Sequence, residues 1–367
     1  MTTPTAIAVD GVLVVGGGYA GVHAARSVIR AGRRAFIIDP TGRHDFVTRL
    51  AAVAGGTAPE SDASASLSDF SDDVIVGSMA SIVDGAVTLN DGRTFTADAV
   101  VVTAGAVPLA PSIEGLDFAL PLRTAADASR LRAKIDIASS VVIVGGGATG
   151  VQLAGAVAAK HRSVAVTLMD GAQTLLAGLG AATGGDAARI LGDRGVDVRL
   201  GSDVDEIGEG SVNVAGDMFE GLPVWAAGYT ARADDFGFPV ERSGRIDVDQ
   251  FLRVRGWSRT FAAGDVAAHR DAQGRELPMS AQIAVQAGEV AGRNALRLLR
   301  GDTLDRARLS HRGWVLDLGG FRGLAEFGPV TLSAPFLDLV PPVLHWAIDV
   351  KHLIETRGLG GLSDAPS

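Results

Sequence analysis

Residues 11–39 read GVLVVGGGYAGVHAARSVIRAGRRAFIID, and this stretch decides the fold. GVLVV is a continuous apolar run with the length of a buried strand. GGGYAG then satisfies G-x-G-x-x-G through Gly16, Gly18 and Gly21. In such a loop the first glycine makes the tight turn and the second lets the backbone approach a pyrophosphate. The helix that opens there offers its N-terminal N–H groups to the phosphate oxygens. Val22, Ala25, Val28 and Ile29 recur at helical spacing, and Ala25 is small enough for helix and strand to lie close. AFIID reads as the next strand, and Asp39, 18 residues past Gly21, stands at its end to accept both hydroxyls of a ribose. A glycine-rich turn that merely packs is the bland alternative. Strand, loop, helix, strand and acid in this order predict a dinucleotide-binding βαβ unit instead.

Residues 141–170 repeat the pattern as VVIV, GGGATG, VQLAGAVAAK and VAVTLMD. Gly145, Gly147 and Gly150 form the second loop, and Asp170 lies 20 residues past Gly150. A carboxylate there favours a free 2′-hydroxyl and repels a 2′-phosphate, so NAD is expected over NADP. His161 and Arg162 lie before the strand and do not overturn this. Two copies predict an α/β fold with two doubly wound, Rossmann-like domains, each a mostly parallel sheet with helices on its faces. The expected division places 1–115 and 239–300 in a first domain that is split in sequence and 116–238 in the second. Residues 301–367 form a small C-terminal α+β part. Pro108, Pro111 and Pro121 punctuate the change of domain, and PESDASASLSDFSDD reads as a solvated loop or short surface helix.

Composition narrows the chemistry. The chain has 367 residues, 47% of them hydrophobic, which is ample for more than one core. A net charge of −9 with no Lys/Arg-rich run argues against nucleic acid. No apolar run of about 18 residues lacks a charge, so no transmembrane helix is expected. MTTPTAIAVDGVLVVGGG runs straight into the glycine loop and is no signal peptide, which implies a cytoplasmic chain. No His/Asp/Glu cluster has a metal-ligand spacing, so no metal is expected. There are no cysteines. Any reaction in which a thiolate attacks a flavin and leaves as a disulfide is therefore excluded.

Beyond the two loops, RHDFVTRLAAVAGG, VVVTAGAVP, VWAAGYT, FAAGDVA and AQIAVQ follow in order. With these the chain resembles the pyridine-nucleotide-dependent flavoproteins, and within them type II NADH dehydrogenases and the related apoptosis-inducing-factor-like quinone reductases. The likeness runs from Gly11 to about Leu353. It implies FAD at the first loop, NADH at the second, hydride transfer between them, and a small-molecule acceptor, a quinone. It places Met79, Thr103, Gly105, Gly228 and Gly264 at the cofactors and gives Asp265 of FAAGDVA the flavin ribityl chain and pyrophosphate. Pro278-Met279-Ser280 precedes a helical pattern from Ala281 to Leu299, which makes Ser280 an expected N-cap. A helix starting at Ala281 and aimed at the flavin N1/O2 edge stabilises the anion formed when hydride arrives. Gln282 and Gln286 lie on one face, placed to hydrogen-bond a quinone carbonyl; two ordinary polar helix residues are the alternative.

Departures from the family fall around the acceptor. Gln152, expected at the nicotinamide, stands where type II dehydrogenases usually carry glutamate, and Ala156 stands where a second glutamate is often found. VTRLAA replaces their F-T-P-L-L and puts Arg49 close to the flavin ring. Three rivals stay open: a ferredoxin or rubredoxin reductase, which needs a basic docking patch; a tailoring oxidoreductase acting on a biosynthetic small molecule; and an NADH-dependent switch. His345, Asp349 and His352 share one face of a helix expected over Val343–Thr356, read as a solvated face. That helix is also the candidate for peripheral contact with the inner face of the cell membrane. Lys351 and Arg357 against Asp349 and Glu355 make electrostatic attraction weak. Trp314 and Trp346 read as packing residues, and a homodimer is compatible with the sequence.

Overall fold

The computed structural model describes residues 6–231, 233–320, 322–327, 330–332 and 352. Its two main sheets grow from the two apolar runs. In the first, strand Val12–Val15 lies between Ala99–Val102 and Ala35–Asp39, with Asp73–Val76 and Thr260–Ala262 at the edges, all parallel. Val12, Leu13 and Val14 have no exposed surface, as expected of a strand covered on both faces. In the second, Ser140–Val144 is flanked by Ala165–Asp170 and Leu222–Trp225, with Asp197–Leu200 and Leu120–Pro121 outermost, again parallel. The late strand Thr260–Ala262 closes the first sheet, so the chain leaves that sheet and returns to it.

Helix α1 (Tyr19–Arg30) follows the first loop. Helices α2 (Leu50–Ala54) and α3 (Ala125–Ile135) come next. Helix α4 (Ala148–Lys160) follows the second loop, then α5 (Ala181–Gly192) and α6 (Ala281–Arg300). Ser280 caps α6 as expected, its hydroxyl accepting from Ile283 N–H at 3.3 Å. α6 lies along α1 at very short range. A Cβ at Gly288 or Gly292 would fall on the backbone of Ala20 or Ala24. Smaller antiparallel pieces complete the fold: Met79–Val83, Ala86–Leu89 and Thr94–Thr96 beside the first sheet, and Trp314–Asp317, Gly323–Phe327 and Val330–Leu332 beyond α6.

Residues 59–73 include the short 3-10 helices Glu60–Ala63 and Leu67–Asp69, with Glu60, Ser61, Ser68 and Asp69 exposed, but the segment is only partly solvated. Strand Ser64–Ser66 pairs with Arg43–Asp45, and Asp62, Ala63, Leu67, Phe70 and Ser71 are buried. Their polar groups are satisfied internally. Asp62 receives Arg49, and the Ser71 hydroxyl donates to the Ala35 carbonyl. The helix expected over Val343–Thr356 lies outside the described residues, as do His345, Trp346 and Asp349. His352 is described, and it is buried, not solvated.

Candidate active site

The two glycine loops share one construction. At Gly16 (φ +109) a Cβ would fall on the Thr103 carbonyl, and at Gly21 on the Gly16 carbonyl. The equivalents, Gly145 (φ +117) and Gly150, would meet the Ala226 backbone and the Gly145 carbonyl. Gly18 and Gly147 differ. Each is the N-cap of its helix, each has extended backbone, and a Cβ there meets nothing within 4 Å. No side chain caps α1 or α4, and neither has an acid in its first turn, whereas Thr124 caps α3 and Ser280 caps α6. Two helix N-termini with no side-chain cap, fronted by backbone with clear space before it, are what a pyrophosphate requires. Both loops fit a dinucleotide.

The acids sit where expected, with one correction. Asp170 accepts from Gly146 N–H and, at 2.7 Å, from Ala172 N–H, which leaves a lone pair on each oxygen for a ribose. Asp39 is more heavily used. Its Oδ2 accepts from Gly17 N–H (2.9 Å), and its Oδ1 accepts from Thr41 N–H, the Thr41 hydroxyl and Gly42 N–H. One position on Oδ2 stays open, so Asp39 can take one ribose hydroxyl rather than two. Met79 starts the strand paired with Leu89, and nearby Gly77 N–H bonds the Asp39 carbonyl at 3.0 Å.

Thr103 ties the first sheet to its loop, its hydroxyl lying 3.0 Å from the Val15 carbonyl and 2.8 Å from that of Gly16. Gly105 (φ +74) lies against Arg123, and the Gly228 carbonyl (φ +103) receives Leu109 N–H at 2.9 Å where the chain crosses between sheets. Asp265 follows Gly264 (φ +80), which approaches Ala20 at the start of α1. Burial pushes the Asp265 carboxyl above the usual carboxylate range, opposed by Arg123 at 3.5 Å and by Arg245.

Three residues around Asp265 were not legible in the sequence. His269 Nε2 accepts from Gly264 N–H at 3.0 Å. Complete burial, with Arg245 nearby, drives its pKa down to about 3, so the ring is neutral. Arg245 donates to the Asp265 carbonyl at 3.1 Å and, through Nη1, to Glu276 and the Leu277 carbonyl. Arg123 donates to the Ala106 carbonyl and lies 5.2 Å from the Tyr229 ring centre. None belongs to a motif of its own, and the contacts of Arg245 and Arg123 join residues 17 or more apart in sequence.

The glutamines have partners other than those expected. Gln282 donates to the Gly313 carbonyl (3.0 Å) and accepts from Arg312 N–H (2.7 Å). Gln286 donates to the Ser310 and Gln282 carbonyls and accepts from Ser310 N–H. Both amides thus hold segment 310–313 against the first turns of α6, starting at Ala281, with the rings of His311 and Trp314 4.8 Å apart beside it. Gln152 donates to the Ala148 carbonyl and accepts from Asp317 N–H, joining α4 to strand Trp314–Asp317. Ala156 is 2% exposed and lies so close to Gly55 and Gly319 that a Cβ on either glycine would fall on it. Arg49 is paired with Asp62 at 2.7 Å, both nearly buried. Among the described residues no group of His, Asp or Glu can hold a metal ion.

A family model described as "Pyridine nucleotide-disulphide oxidoreductase" matches residues 10–288. The chain belongs to this family. Without a cysteine it is a member that cannot perform the disulphide step. Over 92% of its length it is 27% identical to type II NADH:quinone oxidoreductase Ndh of Mycobacterium tuberculosis, covering 83% of that protein. It is 26% identical to the type II NADH:quinone oxidoreductase of Staphylococcus aureus, over 72% of this chain and 73% of the relative. Among solved structures, NDH2 from Plasmodium falciparum in complex with NADH superimposes with a TM-score of 0.80 at 14% identity, covering 97% of each chain. At that identity the match shows a shared fold.

Proposed function

We propose that this chain is an FAD-dependent NADH oxidoreductase that takes hydride from NADH and delivers two electrons to a quinone. The observation that carries the reading is the pair of glycine loops, each fronting a helix with no side-chain cap and each ending in an acid. The near full-length likeness to a type II NADH:quinone oxidoreductase supports the choice of acceptor. FAD, held at Gly16, Gly18, Gly21 and Asp39 with Asp265 along its length, supplies a two-electron carrier. Gly145, Gly147, Gly150 and Asp170 hold NADH, and the Asp170 carboxylate disfavours a 2′-phosphate.

The rest of the site positions and excludes. Residues 1–115 and 239–300 would hold the flavin nucleotide and 116–238 the nicotinamide nucleotide, with 301–367 as a C-terminal part whose segment 310–313 packs on α6 and whose strand Trp314–Asp317 packs on α4. The N-terminus of α6, capped by Ser280, would offer its positive end to the flavin and would oppose negative charge developing on it. Gln282 and Gln286 act by fixing segment 310–313, and Gln152 acts by fixing the strand after it. Direct contact of either helix glutamine with a quinone requires that segment to give way. Among the described residues no helix is long and apolar enough to cross a membrane.

Anaerobic mixing with NADH, followed by a short-chain ubiquinone or menaquinone, tests the reading. Bleaching of the flavin absorbance and its rapid recovery on adding quinone are expected. Bleaching without recovery removes the quinone and favours a different small-molecule acceptor.

A further inference from the structure

Three histidines from distant parts of the chain meet beside the first glycine loop, and the function proposed above uses none of them. His23 lies on α1, His44 on strand Arg43–Asp45, and His352 far beyond α6. They are 1%, 0% and 4% exposed. His44 Nδ1 lies 2.8 Å from the Gly17 carbonyl oxygen, and His44 Nε2 lies 2.9 Å from His352 Nε2. His352 Nδ1 lies 2.9 Å from His23 Nε2, and His23 Nδ1 lies 3.4 Å from Glu289 Oε1 on α6. The rings do not converge on one point, because His352 uses a different nitrogen toward each neighbour. The arrangement is therefore a hydrogen-bonded chain and not a metal site.

One end sets every proton in it. A carbonyl only accepts, so His44 Nδ1–H donates to Gly17 and the Nε2 of a neutral His44 is an acceptor. His352 Nε2–H must then donate to it, and His352 Nδ1 accepts from His23 Nε2–H. The remaining nitrogen, His23 Nδ1, faces a carboxylate, where a proton is welcome; this contact holds the Glu289 carboxyl below its usual range. The chain thus tolerates one surplus proton, at the His23 end. A second would sit on His44 Nε2 or His352 Nδ1 and set N–H against N–H across a 2.9 Å gap.

We infer that this chain is a latch through which His352 positions the first glycine loop, and that acid opens it. His44 and Asp39 grip the Gly17 peptide from its two sides, the first on the carbonyl and the second on the N–H. His352 keeps His44 in the tautomer that can donate. The surroundings offer little to a further positive charge. Tyr19 lies 4.4 Å from the His352 ring centre, and Phe46 and Phe70 flank His44. Arg26 on α1 adds a like charge, and Glu289, itself beside Arg30 and Arg293, is the carboxylate that faces the chain among the described residues. Burial, then His44, His23 and Arg26, hold the His352 imidazole well below its ordinary 6.5. A histidine neutral when latched and protonated when released favours the latched state above that value, and the preference is lost as pH falls below it.

The inference rests on the flavin reading, because its readout is retention of flavin at this loop. Flavin fluorescence released from the purified holoprotein is followed at about pH 7.5, 6.5 and 5.5. Release is expected to quicken about tenfold per pH unit below about 6.5, the slope for one suppressed proton. His352→Phe keeps a ring against Tyr19 and removes both hydrogen bonds, so release is expected to be fast and flat with pH. His352→Gln can donate to His44 and accept from His23, so release is expected to be slow and flat. Wild-type release that ignores pH, or His352→Phe with the wild-type slope, overturns the latch. If the protein purifies without flavin, the flavin reading fails instead. The latch is then read from deuterium exchange at C2–H of His352: a midpoint well below 6.5 supports it, and one at the ordinary value overturns it.

Discussion

Gly147→Ala separates the chemistry of the second loop from its folding. Gly147 has φ −76 and ψ −175, a region open to alanine, and the new Cβ meets no protein atom within 4 Å. Folding is therefore spared, and the loss of glycine freedom in the unfolded chain stabilises by about 0.4–1 kcal/mol. The methyl group instead enters the space before the N-terminus of α4, where a phosphate must approach backbone N–H groups. Losing one hydrogen bond to a charged phosphate costs about 1.5–3 kcal/mol, or roughly 10- to 150-fold in affinity. The expected result is a Kd for NADH, titrated on the flavin-loaded protein, weaker by that factor, with Tm unchanged or slightly raised. Gly150→Ala is the contrast, since its Cβ falls on the Gly145 carbonyl, and it should lower Tm. An unchanged Kd in stable Gly147→Ala protein would refute the placement of a pyrophosphate at this loop.

Further outcomes follow from the same geometry. Asp170→Asn keeps an acceptor for Gly146 N–H but removes the charge facing a 2′-phosphate, so the preference for NADH over NADPH should shrink by at least about tenfold in kcat/KM. Asp62→Ala removes the carboxylate that lies 2.7 Å from the nearly buried Arg49 and should cost about 3 kcal/mol, read by urea unfolding. His269 has a folded pKa of about 3 against 6.5 when unfolded, so its contribution is complete above 6.5 and fades as pH falls toward 3. Between neutral pH and about pH 5 the wild type should therefore lose about 2 kcal/mol more stability than His269→Asn, in paired urea titrations.

What was legible in the sequence is what short-range physics writes there. The βαβ units declare themselves because glycine, apolar run and acid must lie at set distances along one chain. Ser280 declares itself because an N-cap is local. The segment 59–73 misled because its Ser and Asp residues look like solvated ones, while their partners, Arg49 and the Ala35 carbonyl, lie elsewhere in sequence. Gln282 and Gln286 share one face of α6, as their spacing implies, yet spacing alone does not reveal that segment 310–313 lies across them. His352 reads as polar on a helix face, and its burial rests on two imidazoles more than 300 residues earlier.

The two loops are alike in sequence but not in setting, and the difference suits one retained and one exchangeable dinucleotide. α1 is buried from Tyr19 through Ala25, because α6 presses Gly288 and Gly292 onto its outer side while the first sheet covers the inner. The Gly17 peptide is also gripped by Asp39 and His44, and Leu67 closes over it. At the second loop Gly146 is held in the same way, by Asp170 on its N–H and by Leu176 N–H on its carbonyl with Leu175 over it, but Ala148 and Thr149 are half-buried where Tyr19 and Ala20 are buried. A helix whose first turn is held between a sheet and a second helix opens less readily than one whose first turn is half-buried. Under the proposed function it is therefore α6, which returns to cover α1 behind the first loop, that suits the first site to the retained flavin.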